Sequence, residues 1–110
     1  MIVKFNPKEE DIQLKKFRRK LQKNGYSVWI NNGSHMGMEN NVDLLAIKGK
    51  YTFLIQIKDT QREEKNHGVR GLLQIAGSSD YIVPTYVYLK EKQAINLRTR
   101  IEVLKDIWEK

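Results

Sequence analysis

A chain of 110 residues has room for one domain around one core, and its 40% apolar and 30% charged residues are the balance of a globular fold. A net charge of +7 favours a polyanionic partner, because lysine and arginine displace condensed counterions from phosphates. With no cysteine, only His35 and His67, and no apolar run of the roughly 18 residues a membrane span needs, disulfides, thiolate or histidine-rich metal centres and a spanning helix are excluded, and a cytoplasmic setting is expected.

The first predicted element is a helix over residues 7–24. Asn6 can cap it, Pro7 suits its first position, and Glu9 stands where a capping-box carboxylate reaches back. Leu14, Phe17 and Leu21 form its apolar stripe, and Asn24-Gly25 ends it. Lys15, Lys16, Arg18, Arg19, Lys20 and Lys23 cover the remaining faces. Residues 26–30 read as a strand, and 31–41 as a polar loop carrying glycines.

Two further strands follow, VDLLAI over 42–47 and TFLIQIK over 52–58. Gly49-Lys50 between them suits a type II′ turn, in which glycine takes the positive φ. Both strands are apolar on both faces, as central strands covered on each side should be. After a charged segment over 59–66, Val69, Leu72, Leu73 and Ala76 fall at i, i+3, i+4, i+7 and predict a second helix, with His67 at its start. A strand is predicted over 81–89, its ladder beginning after Pro84, which has no N–H to donate. Residues 94–97 suit a short edge strand. Thr99 and Glu102 are spaced as a capping box for a last helix with the apolar face Ile101, Leu104, Ile107 and Trp108. Trp29 and Trp108 read as core or interface aromatics. The order α-β-β-β-α-β-(β)-α predicts a single α/β domain over 1–110, with a mixed central sheet flanked by helices.

Taken literally, the hairpin register pairs Lys48 with Tyr51 and, counting outward, Asp43 with Gln56. Opposed side chains have Cβ atoms about 4.5–5.5 Å apart, and Lys58, two residues beyond Gln56, shares its face. An acid, an amide and an ammonium thus converge where the strands part. Val42, Leu44, Ile55 and Ile57 around them are apolar, so the polar cluster is costly unless it is paired or binds something. Asp43 bridged to Lys58 is the purely structural alternative.

Asp43, twelve intervening residues and Gln56-x-Lys58 resemble the signature of the PD-(D/E)xK nuclease superfamily, in the QxK form of Mrr-like restriction endonucleases. The words VDLLA and IQIK, with a helix before and another after, are similar to the core of archaeal Holliday-junction resolvases; the likeness spans about residues 8–90. The resemblance implies a restriction-endonuclease-like fold, Mg²⁺ (with Mn²⁺ able to substitute) and hydrolysis of DNA phosphodiesters. It assigns metal binding to Asp43, to the Gln56 amide oxygen and to the Ile57 carbonyl, and orientation of the attacking water to Lys58. Mg²⁺ takes hard oxygen ligands, and a positive centre is what a phosphate under attack requires. Gln56 in place of the usual glutamate removes one negative charge, so a further carboxylate is wanted. The family often supplies it from the first helix, where Glu10 lies on the inward stripe with Leu14, Phe17 and Leu21. Glu9, Glu10 and Asp11 compete for this role, Glu9 being placed for the cap, and Glu39 is an outside candidate. Ser34 aligns loosely with a loop serine of the resolvases, and Lys16, Arg19 and Arg70 are candidate phosphate contacts.

Three functions compete. The first is a structure-selective DNA endonuclease, since a chain this short has no separate target-recognition domain and shape can be read through the backbone. As in the resolvases, it would act as a homodimer, with Ile107 and Trp108 supplying the contact, and with no membrane or small-molecule cofactor. The second is a nuclease fold whose metal site has decayed into a DNA- or protein-binding module. The third is a restriction or defence nuclease, acting on RNA or foreign DNA.

Overall fold

In the computed structural model, which describes residues 7–30, 42–58 and 66–108 and the side chains within 12–30, 42–58 and 69–108, the first element is helix α1 (Pro7–Lys23). Phe17 and Leu21 are buried and Leu14 packs beside them, the stripe that the helical spacing predicts. The helix closes in a Schellman arrangement: the Tyr26 amide donates to the Leu21 carbonyl and the Gly25 amide to the Gln22 carbonyl, each at 3.1 Å. Gly25 permits this because its φ is 90°, a conformation that a side chain disfavours. Tyr26 is thereby delivered into the core beside Leu21.

Strands β1 (Ser27–Ile30), β2 (Leu44–Lys48) and β3 (Tyr51–Lys58) form an antiparallel meander, with Ser27 opposite Ile47 and Lys48 opposite Tyr51. At the β2–β3 turn Gly49 has φ 62° while Lys50 does not share the positive φ, the type II′ pattern expected. Helix α2 (Asn66–Ala76) follows, and β4 (Ile82–Tyr88) then runs parallel to β3, with Gln56 beside Tyr86 and Lys58 beside Tyr88.

Strand β4 is unbroken at Pro84, which corrects the expectation that its ladder starts after the proline. Odd-numbered residues bond toward β3: the Tyr81 carbonyl accepts from Thr52 and the Leu89 amide donates to Lys58. Pro84 turns its backbone the other way, where its carbonyl accepts the Leu97 amide at 2.7 Å and no proline N–H is called for.

Strand β5 (Gln93–Asn96) pairs with β4, and β6 (Glu102–Val103) pairs with β5, so β5 is interior rather than an edge. The expected last helix is absent over its first turn. The Thr99 hydroxyl accepts the Ile101 amide at 3.2 Å instead of capping a helix. Arg100 and Leu104 have φ of 64° and 57°, outside the right-handed helical region. Only a 3₁₀ turn, Lys105–Trp108, follows. Ile101 is 64% exposed, Ile107 is buried, and Trp108 stacks on Phe17 with ring centroids 5.7 Å apart. Ile107 and the Phe17-facing side of Trp108 are therefore packed inside the domain, and Trp108 is half-buried. The β5–β6 turn also sends Arg98 back to the end of α2, where its guanidinium donates to the Gly77 carbonyl at 2.8 Å and the Ile82 carbonyl at 2.9 Å.

The six strands make one mixed sheet in the order β1-β2-β3-β4-β5-β6, with only β3 and β4 parallel. Phe17 and Leu21 of α1 pack on Leu44, Ala46, Ile55 and Val87 from one face; Leu72 and Ala76 of α2 pack on Leu54, Tyr86 and Tyr88 from the other. The chain is thus a small α/β domain, a six-stranded sheet covered by a helix on each side. No helix among the described residues is long and apolar enough to cross a membrane.

Candidate functional site

The end of the sheet where β3 and β4 finish and β2 begins is set by a register change at Asp43. The β2–β3 ladder ends at Leu44 opposite Ile55, and the Asp43 amide also donates to the Ile55 carbonyl, at 2.7 Å. Asp43 and Leu44 therefore both face Ile55, the two-against-one arrangement of a β-bulge. This corrects the literal register, which sets Asp43 directly opposite Gln56. In the unbroken register the Ile57 amide would meet Val42; it donates instead to Oδ2 of Asp43 at 2.7 Å. The carboxylate thus sits in the gap between the parting strands, bonded to the backbone of the residue between Gln56 and Lys58.

Burial pushes the Asp43 carboxyl above its ordinary value of 3.8, opposed by the Ile57 hydrogen bond and by the Lys58 ammonium. Ile57 turns its backbone toward β2 while its neighbours bond to β4, so its carbonyl faces the same side as the carboxylate. The apolar surroundings, Val42, Leu44 and Ile55, are all buried, and they withhold solvent from the charge.

Gln56 and Lys58 stand on the α2 face of β3, beside Tyr86 and Tyr88. Oε1 of Gln56 is buried and accepts no hydrogen bond among the described residues. A buried amide oxygen without a donor is uncommon, and a water or a cation would satisfy it. Nζ of Lys58 lies 5.2 Å from the Tyr86 ring centroid, a cation–π contact that leaves its donors available. Asp43, Gln56, Ile57 and Lys58 are therefore brought to one end of the sheet, as the sequence implies, with the bulge in place of direct opposition.

A carboxylate, an amide oxygen and a peptide carbonyl on adjoining residues beside an ammonium are hard donors of the kind a divalent cation such as Mg²⁺ takes. Asp43 is the sole carboxylate placed there among the described residues, and no three acidic, histidine or cysteine side chains cluster among them. The side chains of Glu9, Glu10, Asp11 and His67, and all of Ser34 and Glu39, lie outside the described residues. Helix α1 ends beside Lys48, whose Nζ donates to the Asn24 carbonyl at 2.8 Å, so the helix starts toward the opposite end of the sheet, where Asp43 lies.

Lys16 and Arg19 are exposed on α1, on one side of the sheet, and Arg70 is exposed on α2, on the other. Of the two places expected for Trp29, core or interface, the core is ruled out, since the residue is 59% exposed. Strand alternation carries the missed signal: Val28 and Ile30 face the α1 core, so Trp29 faces the other way. The chain matches no family profile, and no curated protein and no solved structure is detectably similar to it.

Proposed function

We propose that the chain is a Mg²⁺-dependent DNA endonuclease of the PD-(D/E)xK type in its QxK form, with a restriction-endonuclease-like fold, acting in the cytoplasm as a homodimer on shaped rather than sequence-defined DNA. The observation that carries this reading is the junction at the bulge: the Asp43 carboxylate bonded to the Ile57 amide, with the Gln56 oxygen, unpartnered among the described residues, and the Lys58 ammonium on the adjoining residues. The element order α-β-β-β-α-β of the first six elements supports it, as does the net charge of +7.

When bound, Mg²⁺ supplies the positive centre that offsets charge on the phosphate and acidifies a coordinated water. Asp43, the Gln56 amide oxygen and the Ile57 carbonyl would hold it, with Glu10 adding the charge that Gln56 lacks. Lys58 donates toward the attacking water and the phosphate oxygens, and the Tyr86 ring beneath it limits where the ammonium can go.

The presence of an amide, Gln56, where the family's usual glutamate would stand favours a second reading, a nuclease-like fold that binds DNA without cutting it. One experiment separates the two. Linear duplex, single strand and a four-way junction are incubated with Mg²⁺ or Mn²⁺. The wild type is expected to cut at least one, Asp43→Ala and Lys58→Ala to abolish cutting while binding in EDTA stays within a few-fold, and Gln56→Glu to keep or raise activity by restoring a ligand charge. Binding without cleavage of any substrate, by wild type and Gln56→Glu alike, establishes the binding module instead.

A further inference from the structure

The α2 face of the sheet is covered unevenly. Helix α2 packs over the Leu54, Tyr86 and Tyr88 portion, leaving Trp29, on the outermost strand β1, 59% exposed on the same face as Gln56 and Lys58. The rows of the sheet fix its position: Trp29 lies opposite Leu45, Leu45 opposite Leu54, and Gln56 is one pleat further along β3. With strands about 4.8 Å apart and a rise of about 3.3 Å per residue, Trp29 and Gln56 are roughly 12 Å apart at their Cα atoms. That distance corresponds to about three to four stacked nucleotides along one strand. The next pair on β1, Ile30 with Leu44, adjoins Asp43 itself.

An indole this exposed on a sheet face exacts a hydration penalty, and no aromatic or cation–π partner engages it among the described residues. Lys58 stands on the same face of the sheet, and Arg70 is exposed on the helix that covers part of it. A large exposed π-surface on a strongly basic chain is the combination that holds an unstacked base and its phosphates. We propose that Trp29 is a base-stacking residue that receives a nucleobase of the DNA strand a few nucleotides from the bond presented to Asp43 and Lys58. This rests on the nuclease reading above and adds to it where single-stranded or branched DNA would be gripped. The occupant is a nucleic-acid strand rather than a protein, because the chain carries +7 and the lysine that shares this face, Lys58, stands where a phosphate would be presented.

Tryptophan emission provides the test, since Trp108 is packed on Phe17 and Trp29 is exposed. A 12-nucleotide oligothymidylate and a four-way junction are titrated in EDTA into wild type, Trp29→Phe and Trp29→Ala. Quenching is expected in the wild type and its loss in Trp29→Phe. Affinity for the oligonucleotide should fall roughly ten- to a hundred-fold in Trp29→Ala and less in Trp29→Phe, which keeps a ring. Melting temperatures should be unchanged, because the side chain is exposed. Equal affinity and equal quenching in all three proteins overturn the role of Trp29 while leaving the nuclease reading intact. A wild type that binds neither probe overturns both.

Discussion

Asp43 is the residue where structure and proposed chemistry pull against each other. Its carboxyl is held above its ordinary 3.8 by burial, so the folded state binds the proton more tightly than the unfolded chain does. Such a group adds stability below its unfolded value, and that contribution is lost as the pH rises through the raised folded value. At neutral pH the ionised carboxylate is therefore a net burden, tolerated beside the Ile57 amide and the Lys58 ammonium. Asp43→Asn retains an acceptor for Ile57 and removes the charge. Its melting temperature should exceed that of the wild type by a few degrees at pH 7, and the gap should close toward pH 3. Mg²⁺ should raise the wild-type melting temperature and leave Asp43→Asn unmoved. A wild type more stable than the variant at pH 7 would show that the site stabilises the carboxylate fully and needs no cation. At this scale the identities of Asp43, Gln56 and Lys58 were legible because polar residues in an apolar hairpin demand an account. The bulge was not, because counting outward from Gly49-Lys50 assumes one residue against one. Nothing in a string of letters marks where two residues oppose one.

The elements were legible wherever a long periodic stripe met a specific terminator. Helix α1 has both, and its terminator makes a prediction. Gly25 has φ 90°, and a Cβ placed there would lie 3.4 Å from Cε of Lys48, the side chain that also donates to Asn24. Gly25→Ala should destabilise the fold by about 1–2 kcal/mol, since a non-glycine residue is strained in this region. For a domain of this size that is a fall of roughly 4–12 °C in melting temperature, measurable by calorimetry. An unchanged melting temperature would mean that α1 ends some other way in solution. The C-terminal segment lacked a comparable signal. Ile101, Leu104, Ile107 and Trp108 have helical spacing, but four residues over barely two turns also suit a short strand and a tight turn. The left-handed backbone at Arg100 and Leu104 decides for the latter, and pairing of β6 with β5 repays the helix hydrogen bonds forgone. Pro84 misled for a related reason. A proline is expelled from a ladder only where its nitrogen faces a neighbouring carbonyl, and the sequence does not say which way it faces.

For the whole molecule, the class of fold followed from alternating strand and helix patterns, while the sixth strand and the lopsided cover of the sheet emerged only from packing. That lopsidedness bears on how DNA would lie. Lys16 and Arg19 are exposed on α1, Arg70 is exposed on α2, and the two helices flank opposite faces of the sheet. A duplex confined to one face could touch only one set, whereas a duplex lying across the end of the sheet, over Asp43, touches both only if it also extends along the second half of α1, where Lys16 and Arg19 lie. Binding in EDTA should therefore show a log–log salt slope that is reduced by roughly 0.9 for each phosphate contact removed. Arg70→Ala should lower the slope by about one such step, and the double variant Lys16→Ala with Arg19→Ala by up to two, with affinity falling uniformly across sequences. Loss of slope in the α2 variant alone would place the duplex on the Trp29 face and free α1 of any DNA role. Loss in the α1 variants alone would place it on the side away from Gln56 and Lys58, a position from which neither could act on a phosphate. The joint response is the one expected of a duplex at the shared sheet end, because that end carries, among the described residues, a backbone-bonded carboxylate, an amide oxygen that accepts no hydrogen bond and an ammonium on neighbouring residues.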